Sequence, residues 1–309
     1  MIFLFFFNPT KPDSDKGFFE NMFIFAVSFL SFIKKSIMKK TFSTALFCLI
    51  LMTSCAKRND LEPVIKFKTT EGNFTVRLYP ETPQHRDNFV KLVESGYYNG
   101  VLFHRVIADF MIQAGDPDSR NAGKNKMLGS GDVNYTIPAE IVYPKYYHKK
   151  GALAAARQGD DVNPERVSSG AQFYVVKGHV FTDQQLNALE QKNKVRIENE
   201  LMKKESEQKK SEFEKYYSEH NELKIKELND SISMVVKNRM LKNPVWKFTE
   251  QQRNDYKTIG GTPHLDGQYT VFGEVIDGIE IVSNISKVKT GKFDRPLENV
   301  RILEAKRIR

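Results

Sequence analysis

Hydrophobic and polar positions alternate from Val64 to Tyr79. Ile65 and Phe67 oppose Val64, Lys66 and Lys68; after Glu71-Gly72-Asn73, Phe74, Val76 and Leu78 oppose Thr75, Arg77 and Tyr79. A period of two sends each set to one face of a strand, so this stretch predicts two strands joined at a glycine-containing turn. Thr82-Pro83 then supplies an N-cap hydroxyl and a proline in the first helical position, with Phe89, Leu92 and Val93 at helical spacing and Gly96 as the stop. The pattern predicts a helix that plugs the end of a β-structure.

From Tyr97 to Asp116 the chain reads YYNGVLFHRVIADFMIQAGD, which is apolar without a regular period. Val101, Phe103, Val106 and Ile107 predict a short strand, and Asp109 interrupts before Phe110, Met111 and Ile112. Arg105 stands among these residues, where a charge needs a partner or a task. Residues 115–132 are rich in Gly, Asn, Ser and Asp and predict an irregular, solvated loop. Ala154 to Ala156 are small enough to let another chain lie close, and Gln172 and Tyr174 fall on one face of a following strand. Strand patterning returns over 262–275, Gly278 to Ile285 predicts a short helix, and Val300 to Ala305 a final strand.

Residues 178–258 differ from everything around them. No glycine or proline occurs from His179 to Asn243, and Lys, Glu and Gln dominate. Thr182-x-x-Gln185 forms a capping box, and Leu186, Leu189, Ile197, Leu201, then Leu228, Ile232, Val236 and Met240 give helical stripes. One helix of that length would reach ~90 Å, so the stretch predicts a hairpin folding back near 218–221. Sixteen Lys and Arg face fourteen Asp and Glu over 182–258. That balance fits a solvated helical arm or an arm with a dedicated protein partner.

Charge and cysteine content narrow the chemistry. The net charge of +9 suggests nucleic acid or a membrane surface, yet six of the 47 basic residues and only three of the 38 acids lie in residues 1–54. No run of five like charges and no aromatic-interleaved basic patch follows, which argues against a nucleic-acid partner. Cys48 and Cys55 are the only cysteines. Neither a disulfide framework nor a Cys/His metal spacing results, so no metal and no cofactor is expected.

Residues 38–55 read MKKTFSTALFCLILMTSC: two lysines, about a dozen apolar residues, then small residues before a cysteine. This resembles a bacterial lipoprotein signal over 38–54, implying lipidation of Cys55 and a tether over 55–63; the alternatives are an ordinary secretory signal or a buried helix. The location implied is the cell envelope, on the periplasmic face of the inner or outer membrane. Residues 1–37, with Phe-rich runs that fit no signal, are read as an upstream extension before a true start at Met38.

FHRVI followed by DFMIQAGD resembles the signature of the cyclophilin-type peptidyl-prolyl isomerases. The resemblance covers residues 64–177 and 259–309. It implies a mainly β fold, an eight-stranded antiparallel barrel capped by two helices and interrupted by the α-helical arm. It implies isomerisation of Xaa-Pro bonds in unfolded or nascent polypeptides. Position by position it makes Arg105 the catalytic donor and Gln113 the residue that orients it. Phe110, Met111 and Leu265 become the proline socket, Ala156 a backbone contact and Gln172 a glutamine beside it. Four positions depart from the family: Tyr174 replaces a phenylalanine, Arg157 an asparagine, Tyr269 a histidine and His264 a tryptophan. The competing classes are a non-catalytic holdase and an envelope scaffold, both working through the arm.

Overall fold

The alternating stretch forms β1 (Val64–Thr69) and β2 (Gly72–Leu78). Thr69 pairs with Gly72, so the turn is Thr70-Glu71 and Gly72 already belongs to the second strand, one residue off the expected turn. Gly72 is needed for a different reason: at φ +127°, a Cβ there would lie 2.6 Å from the Ile281 side chain. The computed structural model that shows this describes residues 62–124 and 126–309. The signal, the lipidation site at Cys55 and the upstream extension lie outside the described residues.

Helix α1 (Pro83–Glu94) follows as expected, but the Thr82 hydroxyl does not cap it. Thr82 is fully buried, and the carboxylate of Glu140 accepts from the first-turn amides of Gln84 and His85, at 3.1 and 3.0 Å. A negative group there satisfies orphan amides and the helix dipole together. Gly96, at φ 71°, ends the helix: its N–H donates to Val93 and that of Tyr97 to Leu92.

The remaining strands are β3 (Arg105–Ile107), β4 (Met111–Ala114), β5 (Thr136–Ile137), β6 (Ala152–Ala155), β7 (Ser168–Ser169), β8 (Phe173–Val176), β9 (Val271–Asp277) and β10 (Ile302–Arg307). Eight form one sheet, ordered β10-β1-β2-β9-β6-β8-β4-β3, while β5 and β7 pair separately. The sheet is antiparallel and curls until its edges meet. Backbone bonds from Gly100 to Ile302, Ile302 to Val101 and Phe103 to Val300 close the gap. Residues 101–103, expected as strand, form this seam instead.

Inward-facing residues of the curled sheet, among them Phe67, Phe74, Val76, Ile112, Leu153 and Phe173, make the main core. Phe67 and Phe74 stack at 4.9 Å, and Phe89 of α1 meets Phe173 edge-on at 5.3 Å. Helix α6 (Ile279–Ile285) adds Val282 and Ile285 to the same core. A second, smaller buried cluster of Met111, Ala152, Ala154, Tyr174, Val176 and Val271 lies on the other face of the sheet.

The arm consists of α2 (Asp183–Gln208), α3 (Lys210–Ser218), α4 (Glu222–Lys242) and α5 (Glu250–Thr258). The capping box at Thr182 and Gln185 is formed, and a second one, Thr249 with Gln252, starts α5. The chain turns back at 219–221 as expected; nothing in the sequence at Lys209 accounts for the break between α2 and α3. Leu228, Ile232, Val236 and Met240 run down α4 against Ile197, Leu201 and Met202. Both ends of the arm are stitched together: His179 and Gly261 exchange backbone bonds of 3.3 and 3.0 Å. A Cβ on Gly178 would sit 2.2 Å from the Gly261 carbonyl, so only glycine lets the strands of this root approach.

Candidate active site

Strand alternation sorts the signature run. Val106, Ile112, Phe173 and Val175 face the main core, so Arg105, Met111, Gln113 and Tyr174 face the other way. The register then aligns Arg105 with Gln113, Gln113 with Tyr174, and Tyr174 with Ala154 in one row across four strands. Three separate segments thus deliver a cation, an amide and an aromatic ring side by side. Phe110, Ala156, Arg157, Leu265 and Tyr269 complete, with Arg105, Met111, Gln113 and Tyr174, a cleft of about 110 Å³. Nine of the ten expected positions line it; Gln172 lies behind.

Gln172 is buried, and its Nε2 donates to the carbonyls of Gly129 (3.0 Å) and Gly131 (2.7 Å). Its Oε1 therefore accepts from Gln113 Nε2 at 3.0 Å, leaving Gln113 with Oε1 as its remaining polar atom. The described residues of 115–132 form a largely exposed, irregular loop, as expected, with one buried anchor. Asp116 is 1% exposed, its carboxylate accepting from the amides of Asp118 and Gly129.

Arg105 is half-exposed, and its Nε lies 3.3 Å from Asp294 Oδ2. Asp294 and its neighbour Phe293 both adopt left-handed φ, 57° and 61°, which non-glycine residues rarely do. The buried guanidinium of Arg295 anchors this loop by donating to the carbonyls of Gly123 (2.9 Å), Lys126 (2.8 Å) and Ala122 (3.3 Å). Sequence reasoning missed Asp294, since nothing local marks that backbone conformation.

Arg157 lies over the Tyr269 ring at 4.3 Å with its side chain 3% exposed, donating to Gln268 O (3.0 Å) and Asp160 Oδ1 (2.7 Å). Its charge is spent within the rim. Tyr269 meets Tyr174 edge-on at 6.1 Å, and His264, kept neutral by burial, stacks on Phe110 at 5.5 Å. The Ala156 N–H and C=O are bonded to Gln172 and Ser169, at 3.0 and 2.9 Å, so its methyl is what the cleft meets first.

The Tyr174 hydroxyl, unusual for a floor of this kind, has a partner: His148 Nε2 at 3.0 Å. His148 Nδ1 faces Asp266 Oδ1 at 3.0 Å, so the carboxylate fixes the proton on Nδ1 and Nε2 accepts from the tyrosine. Burial pushes the Tyr174 hydroxyl far above its usual range and keeps it a donor. His104, next to Arg105 in sequence, is buried on the opposite side of the strand and held down to about 4, again by burial. It stays neutral and takes no part in proton transfer.

Residues 64–195 and 189–307 match the family model described as cyclophilin type peptidyl-prolyl cis-trans isomerase/CLD. The chain belongs to this family. Relatives in Staphylococcus haemolyticus and Staphylococcus saprophyticus, each named "Putative peptidyl-prolyl cis-trans isomerase", are 28% identical over 243 residues and 29% over 236. The matches span 78% and 76% of this chain and 89% and 86% of those proteins. A solved cyclophilin type peptidyl-prolyl cis-trans isomerase from Cryptosporidium parvum, 19% identical, covers 80% of this chain and 97% of its own, with a TM-score of 0.45.

A cyclophilin lowers the barrier to rotation about a prolyl amide, about 20 kcal/mol, without forming a covalent bond. It must grip the ring and stabilise the imide as conjugation is lost. In this cleft Phe110, Met111 and Leu265 are apolar lining residues and Arg105 carries hydrogen-bond donors. With Nε turned to Asp294, the two terminal nitrogens of Arg105 have no partner among the described residues. Such a preorganised donor is worth ~10²–10³ in rate.

Proposed function

We propose that this cyclophilin isomerises Xaa-Pro bonds of exported proteins while they fold, working at the cell envelope. The observation that carries the catalytic part is the row across four strands that sets Arg105 beside Gln113 above an apolar slot. A protease-coupled assay on a short prolyl peptide tests it: Arg105→Ala lowers kcat/KM by ~10²-fold, and a variant as active as the wild type overturns the assignment. Support for the envelope comes from MKKTFSTALFCLILMTSC. Cells fed labelled fatty acid are expected to label the wild-type chain and not Cys55→Ser; label retained in the variant refutes the anchor.

The arm supports a second role. Leu223, Met234 and Leu241 are exposed on α4, at 66, 64 and 72%, where non-native chains could be held close to Arg105 and their effective concentration raised. If Arg105→Ala still suppresses client aggregation fully, holding and not turnover is the main activity.

A further inference from the structure

We propose that Tyr256, on the last helix of the arm, is a positioning residue for the proline socket, acting through Asp266 and His148 on Leu265 and Tyr174. The inference rests on the isomerase reading of the cleft. Its basis is one unbroken set of hydrogen bonds running from the arm to the cleft floor. The Tyr256 hydroxyl donates to Asp266 Oδ2 at 2.6 Å. Asp266 Oδ1 accepts from the backbone N–H of His148 at 2.9 Å and from its Nδ1 at 3.0 Å, and His148 Nε2 accepts from Tyr174. Exposures of 0, 3, 1 and 5% along Tyr256, Asp266, His148 and Tyr174 leave water no share in it.

Direction is fixed at every link. An ionised carboxylate only accepts, so Tyr256 must donate to it and His148 must carry its proton on Nδ1. Asp266 also follows Leu265 directly, so the carboxylate that orients His148 holds the backbone bearing one socket wall. Removing the Tyr256 hydroxyl deprives a buried charged oxygen of its donor, the situation in which a single lost bond costs most.

Tyr256 is in turn placed by the arm. Its ring packs with Phe248 at 5.5 Å and beside Leu186 of α2. Arg253 of α5 reaches Glu190 (2.9 Å) and Asn187 (2.8 Å) on α2, and Lys257 reaches Asp183 (2.8 Å). The phenol therefore arrives at Asp266 only when α2 and α5 are docked. The arm is part of the socket's support as well as an appendage near it.

The test uses the full chain and a short prolyl peptide that cannot reach the arm. Tyr256→Phe should lower kcat/KM roughly 3- to 10-fold, a part of the full cost of losing one buried hydrogen bond to a charged group, because the phenol acts on the socket through intermediaries. Phe248→Leu disturbs the packing that places the phenol but removes no donor, so its loss of turnover should be smaller than that of Tyr256→Phe. On a Tyr174→Phe background the Tyr256→Phe loss should shrink at least ~2-fold, because only the Leu265 branch remains. Wild-type turnover in Tyr256→Phe, equal loss in Phe248→Leu, or losses that simply multiply would each overturn the proposal. A wild-type chain that does not turn over the peptide would instead sink the isomerase reading. In that event amide exchange over 263–270, unchanged by Tyr256→Phe, would count against the bond network by itself.

Discussion

In the barrel, Phe67, Phe74 and Phe173 lie ring against ring with essentially no exposure, and helices close both ends. In the arm, the buried seam of α4 is four residues, Leu228, Ile232, Val236 and Met240, and lysine and glutamate are the commonest of the other side chains. Exposed pairs such as Lys224–Glu227 and Lys226–Asp230 hold little, because solvent and salt screen them. The difference teaches where precision is needed. The row of Arg105, Gln113 and Tyr174 sits on strands whose inner face is locked by aromatic packing, whereas the far end of the arm is held by a thin seam. Only its root, at α5 and the His179–Gly261 bridge, shares the barrel's rigidity.

The largest effect that sharpens this contrast is on stability. Phe67→Ala should cost about 3–5 kcal/mol and unfold the barrel and the cleft together. Ile232→Ala, in the thinner seam, should cost about 2 kcal/mol and loosen the arm, with peptide turnover retained. Chemical denaturation followed by both near-ultraviolet dichroism and peptide turnover separates the two. If Ile232→Ala abolishes turnover along with arm structure, the two regions are one cooperative unit and the comparison fails.

The smallest effect concerns the cleft itself. Asp294→Ala should lower kcat/KM about fivefold, in keeping with a half-exposed ion pair worth ~1 kcal/mol, with melting unchanged. Steady-state kinetics at low and high salt check it, since screening should erase most of the difference between variant and wild type. A rise in activity on removing Asp294 would mean that the carboxylate restrains Arg105 and does not orient it.

Much of this was legible beforehand where the physics is local. The alternation at Ile65 and Phe67, the capping box at Thr182 and the stop at Gly96 depend on residues a few positions apart. Arg105 and Gln113 were legible through resemblance; the register that makes them neighbours of Tyr174 required three strands to be placed. What stayed hidden was set at a distance. Glu140 caps α1 from another segment, so the Thr82 hydroxyl was a misleading cue. Asp294 reaches Arg105 only through two consecutive left-handed residues. Nothing in the sequence around Tyr256 marks it, yet its hydroxyl ends at Asp266, in a loop that Leu265 shares.

The bridge between His179 and Gly261 also bears on how the chain first assembles. Loop closure grows only with the logarithm of length, about 0.6 kcal/mol per doubling. Helices α2 to α4 touch mainly one another, so on a growing polypeptide they can collapse before β9 is made. Once they have, the two halves of the sheet meet across a span no wider than an ordinary hairpin bend, and a newly synthesised chain need not search for a distant mate.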